Sequence, residues 1–300
     1  MKLATLHARG KEQVALVYEQ EQTEQYILIE NLNQALGTNW STDMFTLVTS
    51  AQLAELSQHI RTSAYLQQLD QLTALPADEI VHAPLYRQPR KIWGIGMNYV
   101  KDEAELAAAD REEEPVSFMK PDTTIIGPED AIVLPPQSEQ VTAEGELALI
   151  MGKTCRNITE AEAPEYIAGL TATLDVTAAD IHARHPRFLA RAKSFDTFFG
   201  LGSQLVTLDE VKDILELTVQ THHQEQRVHQ SRTYYMKFRP WYIVSFLSQV
   251  MTLLPGDIIM TGTPGAGVIR DGETVGCSIL DRNGKLLLEP LRNHVQSQRV

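Results

Sequence analysis

Only two of the 300 residues are cysteine, and they stand far apart: neither Cys155 nor Cys277 has a second thiol near it in the chain. That excludes a zinc knuckle or a dense disulfide framework, and it makes a reducing cytoplasm the expected setting. Long apolar runs are missing as well. Residues 1–7 hold one cation and too short an apolar stretch for a secretory signal before Arg9, Lys11 and Glu12 intervene. The most apolar later segment, residues 241–254, is interrupted by Ser245, Ser248, Gln249 and Thr252. It falls short of the ~20 residues that a membrane span needs and reads as a buried amphipathic helix. Basic charge is scarce too: 26 Lys and Arg face 39 Asp and Glu, a formal net charge of −13. A surface of that sign repels phosphate backbones, so neither nucleic acid nor membrane is an expected partner.

What the chain does contain is a costly arrangement of acids. Glu144 and Glu146 lie one residue apart at the head of an apolar run that continues through Leu147, Leu149 and Met151. In a strand alternate side chains share a face, so the two carboxylates point the same way. A Glu-Gly-Glu at a strand start is more often a solvated turn. Once buried, however, the pair repels unless one member is protonated or a hard divalent ion bridges them, and oxygen-only ligands favour Mg²⁺, Mn²⁺ or Ca²⁺ over Zn²⁺. A second acid supports the ion. Asp175 ends the β-branched run at residues 170–174 and needs a partner there, with a third ligand role as the natural one. Asp180 follows at the start of an expected helix.

Seven blocks, in this order, carry a family resemblance: Asn98-Tyr99, Phe118-Met119-Lys120-Pro121, Glu144-Gly145-Glu146-Leu147, Asp175-Val176-Thr177, Lys193-Ser194-Phe195-Asp196-Thr197-Phe198, Pro255-Gly256-Asp257 and Thr261-Gly262-Thr263-Pro264. Over about residues 90–293 the chain resembles the fumarylacetoacetate hydrolase family. The resemblance implies a β-roll catalytic domain in a homodimer, with one divalent metal, Mg²⁺ or Mn²⁺ with Ca²⁺ as a substitute, bound by Glu144, Glu146 and Asp175. It also implies a 2-oxo acid substrate.

The coarse pattern agrees with an α+β, β-rich chain. Residues 1–85 read as a small leading α+β domain, with strands around residues 14–18 and 25–29 and a helix near residues 51–72. Pro76, Pro84 and Pro89 mark a connection, and residues 90–300 form the expected catalytic domain, opening with a strand at residues 91–96. Hairpins are expected at residues 215–220 with 225–229, and at residues 277–280 with 285–288 around Asn283-Gly284.

Several single residues are candidates for the site. Lys120 and Lys193 sit among apolar neighbours, where a lysine either reaches water or faces an anion. The resemblance places Lys193 beside metal and substrate. Lys120 is a candidate substrate contact or a structural ion-pair partner. Thr263 follows an apolar strand in a tight loop that is either a plain turn or a carboxylate cradle, and it matches the family's substrate contact. His182 and His185 could face the same cleft, and His182 is a candidate substrate contact. His222, His223 and His229 fall at a hairpin tip and read as solvated.

Together these groups favour chemistry that leaves a carbanion beside a keto group: hydrolysis of an acylpyruvate, decarboxylation, or double-bond migration. Hydrolytic members of the family place a His and a Glu, as a base dyad, after the Asn-Tyr block. Here Asp102 stands at the His position and Glu105 is retained. An ordinary carboxylate is a weak base toward water, with a pKa near ~4. Ala179 and His182 replace a family Arg and Gln that meet the distal part of the substrate, which argues against a long dicarboxylate. The alternative is a catalytically silent relative that binds a 2-oxo acid as ligand or sensor.

Overall fold

Two long antiparallel strands, Val141–Met151 and Ile167–Ala178, form the spine of the molecule, seen in a computed structural model that describes residues 1–20, 23–61, 72–110 and 112–298. Both edges of this pair are occupied. Ile258–Met260 and Ala266–Ile269 pair with the first strand, and Phe199–Leu201 and Gln204–Val206 with the second. From Gln204–Val206 the twelve-stranded sheet continues through Lys2–Ala8 and Lys11–Gln20 to Thr23–Leu28. In the other direction it passes Ile92–Gly96 and ends at the edge strand Val116–Lys120.

A second sheet of five strands runs in the order Gln226–Arg232, Thr218–His223, Thr274–Leu280, Leu291–Ser297 and Ala131–Leu134. It packs on the spine at Gly145, where an added Cβ would lie 3.0 Å from Gln220 O and Thr221 Oγ1 and 3.2 Å from Cys277 Sγ. The glycine between the two glutamates is therefore a site of close sheet approach. The fold is mixed α+β and strand-rich, as expected.

Alternation along the spine separates two interiors. Val141, Ala143, Leu147, Leu149 and Met151, with Leu170, Ala172, Leu174 and Val176, enter one apolar cluster. Ala148 and Ile150 enter a second, which they share with Leu3, Leu16, Ile27 and Leu32 from the leading segment and with Phe118, Phe199 and Met260. The sheet does not stop at the expected connection, since Lys2–Ala8 is hydrogen-bonded to Gln204–Val206.

The expected buried helix is Pro240–Val250, with proline in its first turn, where the missing N–H leaves nothing unsatisfied. Other expectations shift. Ile29 opens the helix Ile29–Leu36 instead of ending a strand. The helix expected over residues 51–72 is formed at Gln52–Ile60, and residues 62–71 lie outside the described residues. The first hairpin forms at Thr218–His223 and Gln226–Arg232, and Ile214–Glu216 is a 3₁₀ turn. The hairpin expected at residues 277–280 and 285–288 is cut short, held by Asp281 N donating to Lys285 O at 2.8 Å and Leu287 N to Ile279 O at 2.9 Å. Thr274–Leu280 pairs instead with Leu291–Ser297, leaving a single bridge between Leu280 and Leu286. The Asn283-Gly284 turn is present, with Gly284 at φ +80°, but Leu291–Ser297 lies between Thr274–Leu280 and Ala131–Leu134 and takes the longer ladder.

Candidate metal centre

Glu144 and Asp175 are register partners, directly opposite each other across the central strand pair, while Glu146 faces Thr173. Like charges directly opposite in a sheet destabilise it. Here Glu146 and Asp175 are also buried, at 2 % and 1 % exposure, and Glu144 is half-buried. One ligand oxygen from each of Glu144, Glu146 and Asp175 lies within 4.8 Å of the other two, and among the described residues this is the one group of His, Cys, Asp or Glu so arranged. The three predicted ligands are thus brought together.

The residues present fit a hard divalent ion. All three donors are carboxylates, and apart from the Lys120 ammonium at 2.8 Å, Asp175 Oδ1 is buried with no hydrogen-bond donor. Burial pushes Glu146 well above the usual carboxylate range, and the neighbouring charges of Asp175 and Glu144 push it further. Glu144 is raised as well, by burial first and by Asp175 against the pull of Lys193. A dication among them would offset each of these causes.

Two lysines hold Asp175. Lys120 Nζ donates to three carbonyls, Val176 O at 3.0 Å, Lys193 O at 2.7 Å and Phe198 O at 2.8 Å. That uses its three protons, and it faces Asp175 Oδ1 at 2.8 Å as a charge partner. Lys120 is therefore a buried organiser of Asp175 and of the Lys193 backbone, with no proton left for a substrate. Burial pushes its ammonium down to about 8, against the pull of Asp175. Lys193 ends the short helix Leu189–Lys193. Its ammonium donates to Asp175 Oδ2 and to Thr177 Oγ1, the latter at 2.8 Å, and lies 3.6 Å from Glu144. Burial opposes its charge, but Asp175 and Glu144 outweigh that and hold it above its ordinary value. The same two ammoniums overcome burial at Asp175 and keep it ionised below the usual range.

The loop after Ile258–Met260 closes the site. Gly262 N donates to Glu146 Oε2 at 2.6 Å, and the positive φ of Gly262, +102°, lets the backbone turn there beside Asn98. Thr263 is next in this loop, where its hydroxyl exchanges hydrogen bonds with the Gly265 backbone. Asn98 is fully buried and clamps Phe238 N, Phe238 O and Thr261 O.

Asp102 and Glu105 are placed differently. Asp102 caps the exposed helix Glu103–Ala108 by accepting from Glu105 N at 3.0 Å, and Glu105 reaches back to Lys101 N at 2.8 Å. This reciprocal capping is a local solution to orphan amides, and it brings neither carboxylate into contact with the triad. His182 is half-buried in the helix Ala179–Arg184, with no side-chain hydrogen bond, and His185 Nδ1 accepts from Arg187 N. Asp180 is engaged by Ser138, Glu139 N and Arg184, not by the triad. His223 pairs with Glu273 and His229 with Ala266 O, apart from the carboxylates.

Thr177, Gly262 and Phe118 belong to the site; they stand in the quoted blocks but were given no role there from the sequence. A signal for Thr177 exists: Thr171, Thr173, Asp175 and Thr177 alternate with Leu170, Ala172, Leu174 and Val176. A polar residue at every second place in an apolar run marks a face turned toward something polar.

Residues 91–296 match the family model described as fumarylacetoacetate (FAA) hydrolase C-terminal. A human mitochondrial oxaloacetate tautomerase is 38 % identical over 218 residues, 70 % of this chain and 69 % of that one. Among solved structures, 5-carboxymethyl-2-hydroxymuconate delta-isomerase from Mycobacterium smegmatis has a TM-score of 0.76 at 28 % identity, covering 100 % of both chains. Maleylpyruvate hydrolase from Sphingobium sp. SYK-6, in complex with manganese(II) and pyruvate, also has a TM-score of 0.76, at 25 % identity and 100 % of both chains. No helix among the described residues is long and apolar enough to cross a membrane.

Proposed function

Because the chain belongs to the fumarylacetoacetate hydrolase family, we propose that it is a divalent-metal-dependent enzyme that interconverts the keto and enol forms of a small 2-oxo dicarboxylic acid, oxaloacetate being the reference substrate. One observation carries this reading: Glu144, Glu146 and Asp175 converge, whereas Asp102 and Glu105 are committed to backbone amides. Tautomerisation needs an electron sink and a carrier for the proton that moves between C3 and oxygen, but no water activated as a nucleophile, and hydrolysis needs that water as well. The 38 % identity with a human oxaloacetate tautomerase supports the same choice.

When bound by Glu144, Glu146 and Asp175, Mg²⁺ or Mn²⁺ supplies Lewis acidity to the oxygens of a chelating 2-oxo acid. The chain's own groups do the rest. Lys193 Nζ, at the edge of the triad, places a full positive charge where an enolate oxygen gains negative charge, in a site dry enough for that charge to count. Lys120 keeps Asp175 ionised and fixed, and the Gly262 amide orients Glu146. His182, half-buried with a free ring, and Thr263, in the loop that holds Glu146, are our candidates for the distal end of the substrate.

The test follows the decay of enol oxaloacetate by ultraviolet absorbance with Mg²⁺ or Mn²⁺, beside pyruvate release from oxaloacetate and from an acylpyruvate. Metal-dependent enol decay that outpaces both pyruvate-releasing reactions is expected. Equal or faster acylpyruvate cleavage would replace the reading with hydrolysis, and no metal-dependent turnover of any of them would favour a ligand-binding role. In Glu146→Gln, Mn²⁺ binding by calorimetry and enol decay are expected to vanish together. Tight Mn²⁺ binding by that variant would show the ligand set to be wrong.

A further inference from the structure

We propose that Phe118 is a positioning residue for Lys193, its ring face fixing the ammonium at the edge of the carboxylate triad through a cation–π contact. The inference rests on the enolate-stabilising role given above to Lys193. Lys193 Nζ lies 4.4 Å from the centroid of the Phe118 ring, well inside the ~6 Å over which a ring face attracts an ammonium. Its other neighbours are Asp175, Thr177 and Glu144, so the ring forms the apolar side of its cage. A lysine side chain has four rotatable bonds and three acceptors here to choose among. The ring restricts that choice without competing for a proton.

Space for the ring is kept by the neighbouring strand. Gly94 is the register partner of Phe118, and a Cβ at position 94 would lie 2.2 Å from the ring's Cζ, too close for both to fit. Phe118 is 6 % exposed, although Ser117 and Met119 beside it and Val116 are exposed on this edge strand. The strand thus turns only Phe118 and Lys120 inward. Alternate residues share a face, so one short strand delivers a ring to Lys193 and an ammonium to Asp175. The helix that carries Lys193 packs against this same strand.

The decisive experiment replaces Phe118 by phenylalanines with one, two and three ring fluorines. Fluorine withdraws electron density from the ring face while leaving its size nearly unchanged. In the Mn²⁺-loaded enzyme kcat for enol decay is expected to fall stepwise, about tenfold across the series, within the range such contacts carry. KM and Mn²⁺ affinity are expected to stay level, which a merely structural role would not single out. Metal-free protein gives a second readout: the melting temperature is expected to fall with each fluorine, and this slope is expected to vanish in Lys193→Met. A level kcat in an otherwise active series, or the same slope with and without Lys193, would overturn the inference and leave Phe118 as packing. Should the unsubstituted protein turn over no 2-oxo acid, the proposed function fails, while the melting series with and without Lys193 still decides the contact.

Discussion

Asp175 is held from two sides, with an ammonium on each oxygen and 1 % exposure. A buried pair of this kind contributes little net stability, because desolvation offsets the attraction, but breaking it leaves an uncompensated charge. Lys120→Met is therefore expected to lower the unfolding free energy by about 3–5 kcal/mol, read by urea denaturation. Three carbonyls lose their donor as well. A loss below about 1 kcal/mol, the scale of an exposed pair, would show that Lys120 is not the buried organiser described.

At the scale of elements, the helix Glu103–Ala108 stands apart from the triad, while the close sheet contact at Gly145 lies between its two glutamates. Asp102→Ala removes an N-cap worth about 1 kcal/mol to a helix of only six residues. Faster hydrogen exchange at the Glu105 and Leu106 amides is expected, with enol decay changed less than twofold. A collapse of enol decay in this variant would return Asp102 to the chemistry. Gly145→Ala places a methyl group against Gln220 O, Thr221 Oγ1 and Cys277 Sγ, none of them a flexible chain end. About 1–3 kcal/mol of stability is expected to be lost through overpacking, together with weaker Mn²⁺ binding, because Glu144 and Glu146 flank the displaced residue. Unchanged melting and Mn²⁺ affinity would mean that the two sheets yield there freely.

Across the whole molecule, the leading segment and the expected catalytic segment share one of the two interiors. Leu3, Leu16, Ile27 and Leu32 pack in the same cluster as Ile150, Phe199, Leu205 and Met260, and Lys2–Ala8 extends the sheet of the site. A chain beginning at residue 90 is thus expected to lose its cooperative thermal transition and to expose apolar surface that binds a hydrophobic dye. A sharp transition near that of the full chain would show that residues 90–300 fold by themselves.

The acidic triad was legible because strand periodicity is a local property: a spacing of two puts Glu144 and Glu146 on one face wherever the strand goes. The seven blocks, the strand-rich character and the buried helix at Pro240–Val250 are local in the same sense. What Lys120 does was not, since its acceptors lie 56, 73 and 78 residues away and only packing decides whether they or a substrate receive its protons. What Asp102 does was not legible either, for a related reason. A carboxylate at a helix start has amides at hand, and nothing in the order of residues tells whether it caps them or reaches a distant cleft. The strand choice after Asn283-Gly284 likewise fell to tertiary structure, because a turn brings two segments near each other, but the ladder goes to whichever neighbour the sheet already offers.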